Sequence, residues 1–180
     1  PGAWLVDAMM RRVLSVRAGS AKLSPMTRHD GRADQVWEAT RAEFGIATVR
    51  DAAFYTWRFF DAPAQVQRPF VIEERGQSLG VCVLQRRGER EHIVDLCAPR
   101  HHWARALAAI ARHTADASGQ EFAMLREDAD SRHLWRHGFI AREAAPYLIV
   151  TPEGSARQAA LHDGRLWTYT SADIDVDRLV

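Results

Sequence analysis

The order of secondary structure that the sequence predicts between residues 69 and 140 constrains the fold more than any other feature. Two hairpin strands, a third strand, a helix, a fourth strand and a short helix ending at Gly138 follow one another. Residues 75–77 and 87–89, each with a central glycine, mark the turns between the first three strands. Because short links join the third strand, the helix and the fourth strand, we predict that those two strands are parallel neighbours.

The preceding residues predict one strand and two helices. The strand lies within residues 21–28, and the first helix follows Asp34 and ends at Gly45. Asp51 is the expected N-cap of a second helix through Phe60. After Gly138, residues 139–142 and 147–150 predict two more strands. The expected fold class is α/β (α+β), with a mixed, mostly antiparallel sheet flanked by helices.

The sequence divides into three segments. Residues 1–20 have an amphipathic helical period and predict a connecting helix, and residues 21–170 predict the folded domain. Residues 171–180 form an acidic tail in which Asp173, Asp175 and Asp177 alternate. No glycine or terminal glutamate follows them, so a solvated tail is favoured over a calcium loop. Because the sequence begins with Pro1, an upstream domain is a further expectation.

Charge and cysteine content limit the classes of partner and the cellular compartment that we expect. Twenty-four basic and 23 acidic residues give a net charge of +1, which favours neither nucleic acid nor an anionic membrane as a partner. No apolar run approaches the roughly 18 residues of a membrane span. Cys82 and Cys97 lie in apolar strand-like runs, which predicts buried free thiols and a reducing cytoplasm.

Several short motifs accompany this element order. They are the sequence from Tyr55 to Phe59, the Ile93-to-Leu96 strand, Gly138-Phe139, and Trp167 before the acidic tail. With them, residues 21–170 resemble the GNAT superfamily of acyl-CoA N-acyltransferases, and the motifs are similar to an uncharacterised bacterial branch of it. The resemblance implies acetyl-CoA or another acyl-CoA as co-substrate and an amine, on a small molecule or a peptide, as acceptor.

The resemblance also implies where the cofactor binds. A main-chain N–H near the end of the third strand, within residues 96–98, would polarise the thioester carbonyl. Main-chain N–H groups at the start of the next helix would bind the pyrophosphate. The family has small residues in that loop, whereas this chain has Trp103 and Arg105 there, and Leu134 replaces the usual acid tyrosine. The cofactor-binding residues expected on this basis are Leu96, Cys97, Ala98, Arg100, His102, Trp103, Ala104 and Arg105.

Asp95 is the best candidate for the base that deprotonates the acceptor, because an apolar strand can raise the pKa of a carboxyl group. The alternative is a structural ion pair between Asp95 and Arg58 or another helix arginine. His92 is the second candidate base. Strict strand alternation would place Ile93, Asp95 and Cys97 on one face.

Trp57 and Arg58 are candidates for the acceptor pocket, although aromatic residues at this density are also typical of a core. Nucleophilic catalysis by Cys97 is disfavoured, since no activating histidine is expected on its face. His133 and His137 have the spacing of metal ligands but no third ligand, so we expect no metal site.

Two functions from different classes therefore compete. One is an N-acyltransferase, and the other is a catalytically inactive GNAT-like module that binds or packs against a partner, such as a second copy in a homodimer or an upstream domain. Transfer of an aminoacyl group from charged tRNA is a third option, which the near-neutral charge disfavours.

Overall fold

The computed structural model describes residues 18–63, 66–122, 124–125 and 169–173. Three helices lie in this part of the chain, and α2 continues into a π-helical turn, Thr56–Phe60. Short 3-10 turns cover residues 41–43, 100–102 and 171–173. In chain order the elements are β1 (Lys22–Pro25), α1 (Gly31–Thr40), α2 (Ala52–Tyr55), β2 (Arg68–Glu74), β3 (Gln77–Arg87), β4 (Arg90–Cys97), α3 (Trp103–His113), β5 (Gly119–Phe122), β6 (Met124–Leu125) and β7 (Tyr169–Thr170).

The strands form a five-stranded sheet of order β1-β2-β3-β4-β5 and a separate β6-β7 ladder. Neighbours in the larger sheet are antiparallel except β4 and β5, which are parallel. The mixed, mostly antiparallel sheet and the parallel pairing across α3 are therefore confirmed. The helix ending at Gly138, the strands over 139–142 and 147–150, and residues 1–17 of the connecting helix lie outside the described residues.

Local turn chemistry fixes the first hairpin. Glu74 pairs with Gln77, so the β2-β3 loop contains only Arg75 and Gly76. Both loop residues have positive φ, 51° and 82°. Positive φ at both central positions is the geometry whose twist matches that of paired strands. The glycine therefore supplies a conformation that other residues rarely adopt.

The helix starts follow capping rules, with one correction. Asp51 caps α2 as predicted, since its Oδ1 accepts from the Phe54 N–H at 2.8 Å. The cap of α1 is Asp30 rather than Asp34, and the helix begins at Gly31. Asp34 Oδ1 instead accepts from the Ala52 N–H at 2.8 Å. The prediction was wrong because Asp34 lies inside α1, and its carboxylate binds the first residue of α2 instead of capping its own helix.

Apolar side chains cover both faces of the sheet. One buried cluster joins strand residues such as Ile72, Leu84 and Ile93 to Trp103 and Leu107 of α3. The other joins the opposite face to α1 and α2, and its members include Val36, Tyr55, Val71, Val83 and Val94. Cys82 and Cys97 are free and buried, as predicted. The sheet is thus the middle layer of the fold, and β4 lies inside it.

Candidate functional site

A β-bulge interrupts β4 next to Asp95. Val83 pairs with Asp95 and Leu84 pairs with Ile93, so Val94 is an additional residue on β4. The bulge breaks strict alternation, since Val94 packs in the cluster of α1 and α2 whereas Ile93 packs against α3. The Asp95 carboxylate accepts a hydrogen bond from the Tyr55 hydroxyl, which places it on the α2 side of the sheet. The prediction that Ile93 shares a face with Asp95 and Cys97 was therefore wrong, because one extra residue reverses the pattern.

The described ladder between β4 and β5 ends just before this bulge. Their parallel pairing extends from Arg90–Gly119 to Ile93–Phe122. Among the described residues, no ladder joins residues 94–97 of β4 to β5. On the other side, β4 stays close to β3, since a Cβ added at Gly80 would lie 2.7 Å from the Ala98 Cβ. The last part of β4 is therefore paired with β3, and the described β4-β5 ladder does not extend along it.

Asp95 is fully buried and lies in a network of hydrogen bonds. Arg50 Nε donates to its two carboxylate oxygens at 3.1 and 3.3 Å. Tyr55 Oη donates to Oδ2 at 2.9 Å, and Thr170 Oγ1 donates to Oδ1 at 2.7 Å. Asp95 is thus in a buried ion pair, the alternative to a free base, but its partner is Arg50, which precedes α2, and not Arg58.

Arg50 connects three separate parts of the chain. Besides Asp95, it donates to Thr48 O at 2.9 Å, Thr170 Oγ1 at 3.2 Å and Asp173 Oδ2 at 2.5 Å. Burial alone would lower the pKa of Arg50, but the carboxylates of Asp95 and Asp173 raise it above its usual value. Such a guanidinium stays charged and fixes the geometry of both carboxylates.

Asp173 corrects the expectation of a solvated acidic tail. Its side chain is 3% exposed and pairs with Arg50. A buried carboxylate is stable only with such a partner, which the spacing of the acidic residues did not reveal. Residues 174–180, including Asp175 and Asp177, lie outside the described part of the chain.

The two candidate bases have different surroundings. Each oxygen of Asp95 already accepts two hydrogen bonds, so a proton from the acceptor would have to displace one of these donors. His92 lies before the bulge, opposite Gln85 and Glu121, and is partly buried. The catalytic role of either residue stays a prediction, and the contacts of Asp95 show that it joins β4 to Arg50, Tyr55 and Thr170.

The start of α3 holds the residues expected to bind the cofactor. The 3-10 turn Arg100–His102 leads directly into the helix, and the Arg100 N–H donates to Glu43 Oε2 at 2.9 Å. Arg105 Nη1 lies 2.7 Å from Glu74 Oε2. Partial burial, together with nearby His101 and Arg105, lowers the pKa of His102, so its imidazole is neutral near pH 7. Ala104 is exposed on the first turn.

Trp103 does not project over the helix start. Its side chain lies in the core cluster beneath α3, with 3% of the residue exposed. The indole Nε1 donates to Ala98 O at 2.9 Å. A bulky residue at this position therefore does not cover the helix start, because its side chain is buried beneath α3. It fixes the main chain of the helix start to the end of β4 instead.

Trp57 and Arg58 are neighbours with opposite environments. Trp57 is 66% exposed on the π-helical turn, whereas Arg58 is buried and its Nε donates to Ala172 O at 2.9 Å. The structure does not bring the two side chains into one pocket. Their part in acceptor binding remains a prediction, and the buried contact gives Arg58 a structural role.

Buried groups near Asp95 are held in their protonated forms. Burial, followed by the carboxylate of Asp95, raises the pKa of Cys97 to about 12. The same two causes raise the pKa of Tyr55 well above its usual value. A thiolate is the nucleophilic form of cysteine, so this environment disfavours nucleophilic catalysis by Cys97.

Two cavities lie apart from the Asp95 network, since none of its residues lines either of them. They measure about 290 and 340 Å³, and Arg68 lines both. The smaller cavity includes Glu91 at the start of β4, whereas the larger one lies between the end of β1, the π-helical turn and the first residues of β2. In the described ranges, no group of His, Cys, Asp or Glu has the arrangement of a metal site. No helix in those ranges has the length and apolarity to cross a membrane.

Sequence reasoning missed four residues of this site: Arg50, Glu43, Tyr55 and Thr170. Arg50 and Asp95 are 45 residues apart, and Arg50 and Thr170 are 120 apart. No local spacing encodes such contacts. The available signal was a buried carboxylate, which requires a cation somewhere in the fold.

Comparisons with known proteins identify the fold. No protein-family model and no curated protein matched the sequence. Among solved structures, an acetyltransferase from Thermus thermophilus aligns with a TM-score of 0.50 and 16% identity over 68% of this chain and 87% of that one. A ribosomal-protein-alanine N-acetyltransferase from Brucella melitensis biovar Abortus 2308 gives 0.48 and 14% over 73% and 99%. An integron cassette protein from the V. cholerae mobile metagenome gives 0.49 and 13% over 81% and 99%.

The element order, the sheet topology and the Thermus alignment agree on one fold. The chain has the GNAT fold.

Proposed function

We propose that this protein is an N-acyltransferase that moves an acetyl or other acyl group from acyl-CoA to an amine. The observation that carries the proposal is the GNAT fold itself, with β4 inside its sheet and α3 directly after that strand. Among the described residues, the ladder between β4 and β5 ends at Ile93, ahead of residues 94–97.

The start of α3 suits the anionic part of the cofactor. The carboxylate of Glu43 already accepts from the Arg100 N–H, so an oxyanion fits this position. Main-chain N–H groups at a helix start attract anions through their hydrogen bonds and through the helix dipole. In the proposed complex, main-chain groups of residues 100–105 would hold the pyrophosphate. The buried indole of Trp103 leaves their approach open.

The proposed reaction needs few side chains. The amine nitrogen attacks the thioester carbon, the C–S bond breaks, CoA leaves as a thiolate, and the acceptor loses a proton. A main-chain N–H within Leu96–Ala98 would stabilise the developing oxyanion. The thiolate is stable enough to leave without an acid, so the reaction can proceed with Leu134 in place of the tyrosine. We expect Asp95 to set the position of β4 or, after exchange of one hydrogen bond, to accept the proton.

A second candidate is an inactive GNAT-like module that binds or packs against a partner. Two observations favour it. Every oxygen of Asp95 is engaged in the interior, and an internal carboxylate lies at the helix start where the cofactor would bind. This candidate predicts the same fold and stability but no affinity for CoA.

Calorimetric titration with acetyl-CoA and free CoA tests the proposal. Saturable binding at micromolar concentration is the expected result, and a screen of small amines and peptides should then release CoA thiol in a colorimetric assay. No binding heat at millimolar CoA would refute the transferase proposal and support the inactive module.

A further inference from the structure

The contact between Glu43 and Arg100 joins two distant parts of the chain. Glu43 lies in the 3-10 turn that follows α1, and Arg100 lies 57 residues later at the start of the turn leading into α3. Because Pro99 has no N–H, the Arg100 N–H is the first main-chain donor of the segment that leads into α3. The Glu43 carboxylate therefore already accepts the first main-chain N–H of the segment where an anionic ligand would bind.

A second interaction supports this placement of Glu43. Its negative charge acts on His102 and opposes the lowering of the pKa of that imidazole. The charge of Glu43 is therefore felt at both ends of the 3-10 turn Arg100–His102. The Trp103 indole fixes the same turn through Ala98 O, so the carboxylate faces main chain whose position is set by the core.

We propose that Glu43 competes with the diphosphate of CoA for the start of α3, so that its carboxylate must leave the Arg100 N–H when the cofactor binds. This inference rests on the proposed function. A diphosphate would meet an engaged donor and a like charge at the same place. Removing the charge of Glu43 would weaken its hydrogen bond to the Arg100 N–H and remove its repulsion of the diphosphate. The volume of the side chain has no part in this competition.

The variant Glu43→Gln tests this with little change in shape. Glutamine keeps the volume and a weaker acceptor oxygen but loses the charge. The matched control is Glu38→Gln, which alters an exposed glutamate five residues earlier whose partner is Arg41. Each protein is titrated with CoA and with pantetheine, which lacks the phosphates, and urea unfolding verifies that each variant is folded.

We expect Glu43→Gln to bind CoA about tenfold more tightly than the wild type, the effect of one charge-assisted contact. Glu38→Gln should bind like the wild type, and pantetheine affinity should be equal in all three proteins.

Three results would overturn it, and they differ in what they say about the function. Equal CoA affinity in the wild type and Glu43→Gln would reject competition by Glu43 while keeping the transferase proposal. Absence of CoA binding in both proteins would reject the two together. An equal gain for pantetheine would reject the inference alone, because the gain would then not involve the phosphates.

Discussion

At the scale of single residues, Arg50 has the most consequences, because it holds two buried carboxylates at once. Its Nε contacts Asp95 and its Nη2 contacts Asp173, and both acidic side chains are almost completely buried. Removing one partner of a buried ion pair leaves an uncompensated charge, which costs more than the pair itself contributes. The cluster therefore depends on Arg50 more than on either acid.

The variant Arg50→Met should lower the free energy of unfolding by about 3 to 5 kcal/mol, since it leaves two buried carboxylates without their cation. Urea denaturation measures the change. The control is Arg28→Met, which removes an exposed arginine paired with Asp61 and should change stability by less than about 1 kcal/mol. Equal effects of the two substitutions would show that the buried network adds no more to the free energy of unfolding than an exposed ion pair.

Two tryptophans give a second prediction at this scale. Trp103→Ala should cost about 3 to 5 kcal/mol, because it opens a cavity under α3 and leaves Ala98 O without its indole donor. Trp57→Ala, at the exposed tryptophan, should cost less than about 1 kcal/mol. Thermal and urea unfolding of both variants check this. A tighter CoA complex of Trp103→Ala with unchanged stability would contradict the buried position of the indole.

At the scale of elements, the end of β4 depends on a close approach by β3. A Cβ at residue 80 would lie 2.7 Å from the Ala98 Cβ and 3.0 Å from the Cys97 carbonyl oxygen. Gly80→Ala should therefore destabilise the protein by about 1 to 3 kcal/mol and displace the strand end that we propose binds the thioester. Ala98→Gly in the same chain removes the nearer contact and should recover part of the loss. A double-mutant cycle by urea unfolding measures this coupling, and strictly additive effects would argue against a clash.

The same elements show what sequence can predict. The hairpins, the Asp51 cap and the parallel β4-β5 pair followed from turn residues, capping chemistry and short links, which all act over a few positions. The bulge at Val94 has no comparable local signal, and one extra residue was enough to reverse the predicted face of Ile93. The partners of Asp95 could not be predicted because they come from residues 50, 55 and 170, which only the complete fold brings together.

At the scale of the whole molecule, the buried thiols make stability depend on alkaline pH. Burial raises the pKa of Cys97 from 9.0 to about 12, and it raises the pKa of Cys82 as well. Above about pH 9 the unfolded chain releases thiol protons that the native protein keeps, so the unfolded state binds fewer protons. The free energy of unfolding is then complete below pH 9 and falls as pH rises toward the folded pKa, by about 1.4 kcal/mol per pH unit for each thiol.

Urea denaturation at pH 8 and pH 10.5 checks this expectation in the wild type, Cys82→Ala and Cys97→Ala. Each alanine variant starts less stable at pH 8 but should lose about 2 kcal/mol less between the two pH values, since one thiol no longer titrates. Tyr55 acts in the same direction above pH 10 and is common to all three proteins, so the differences between proteins isolate the thiols. Parallel pH profiles for all three would mean that neither thiol is buried as the structure has it, and the core packing around β4 would need revision.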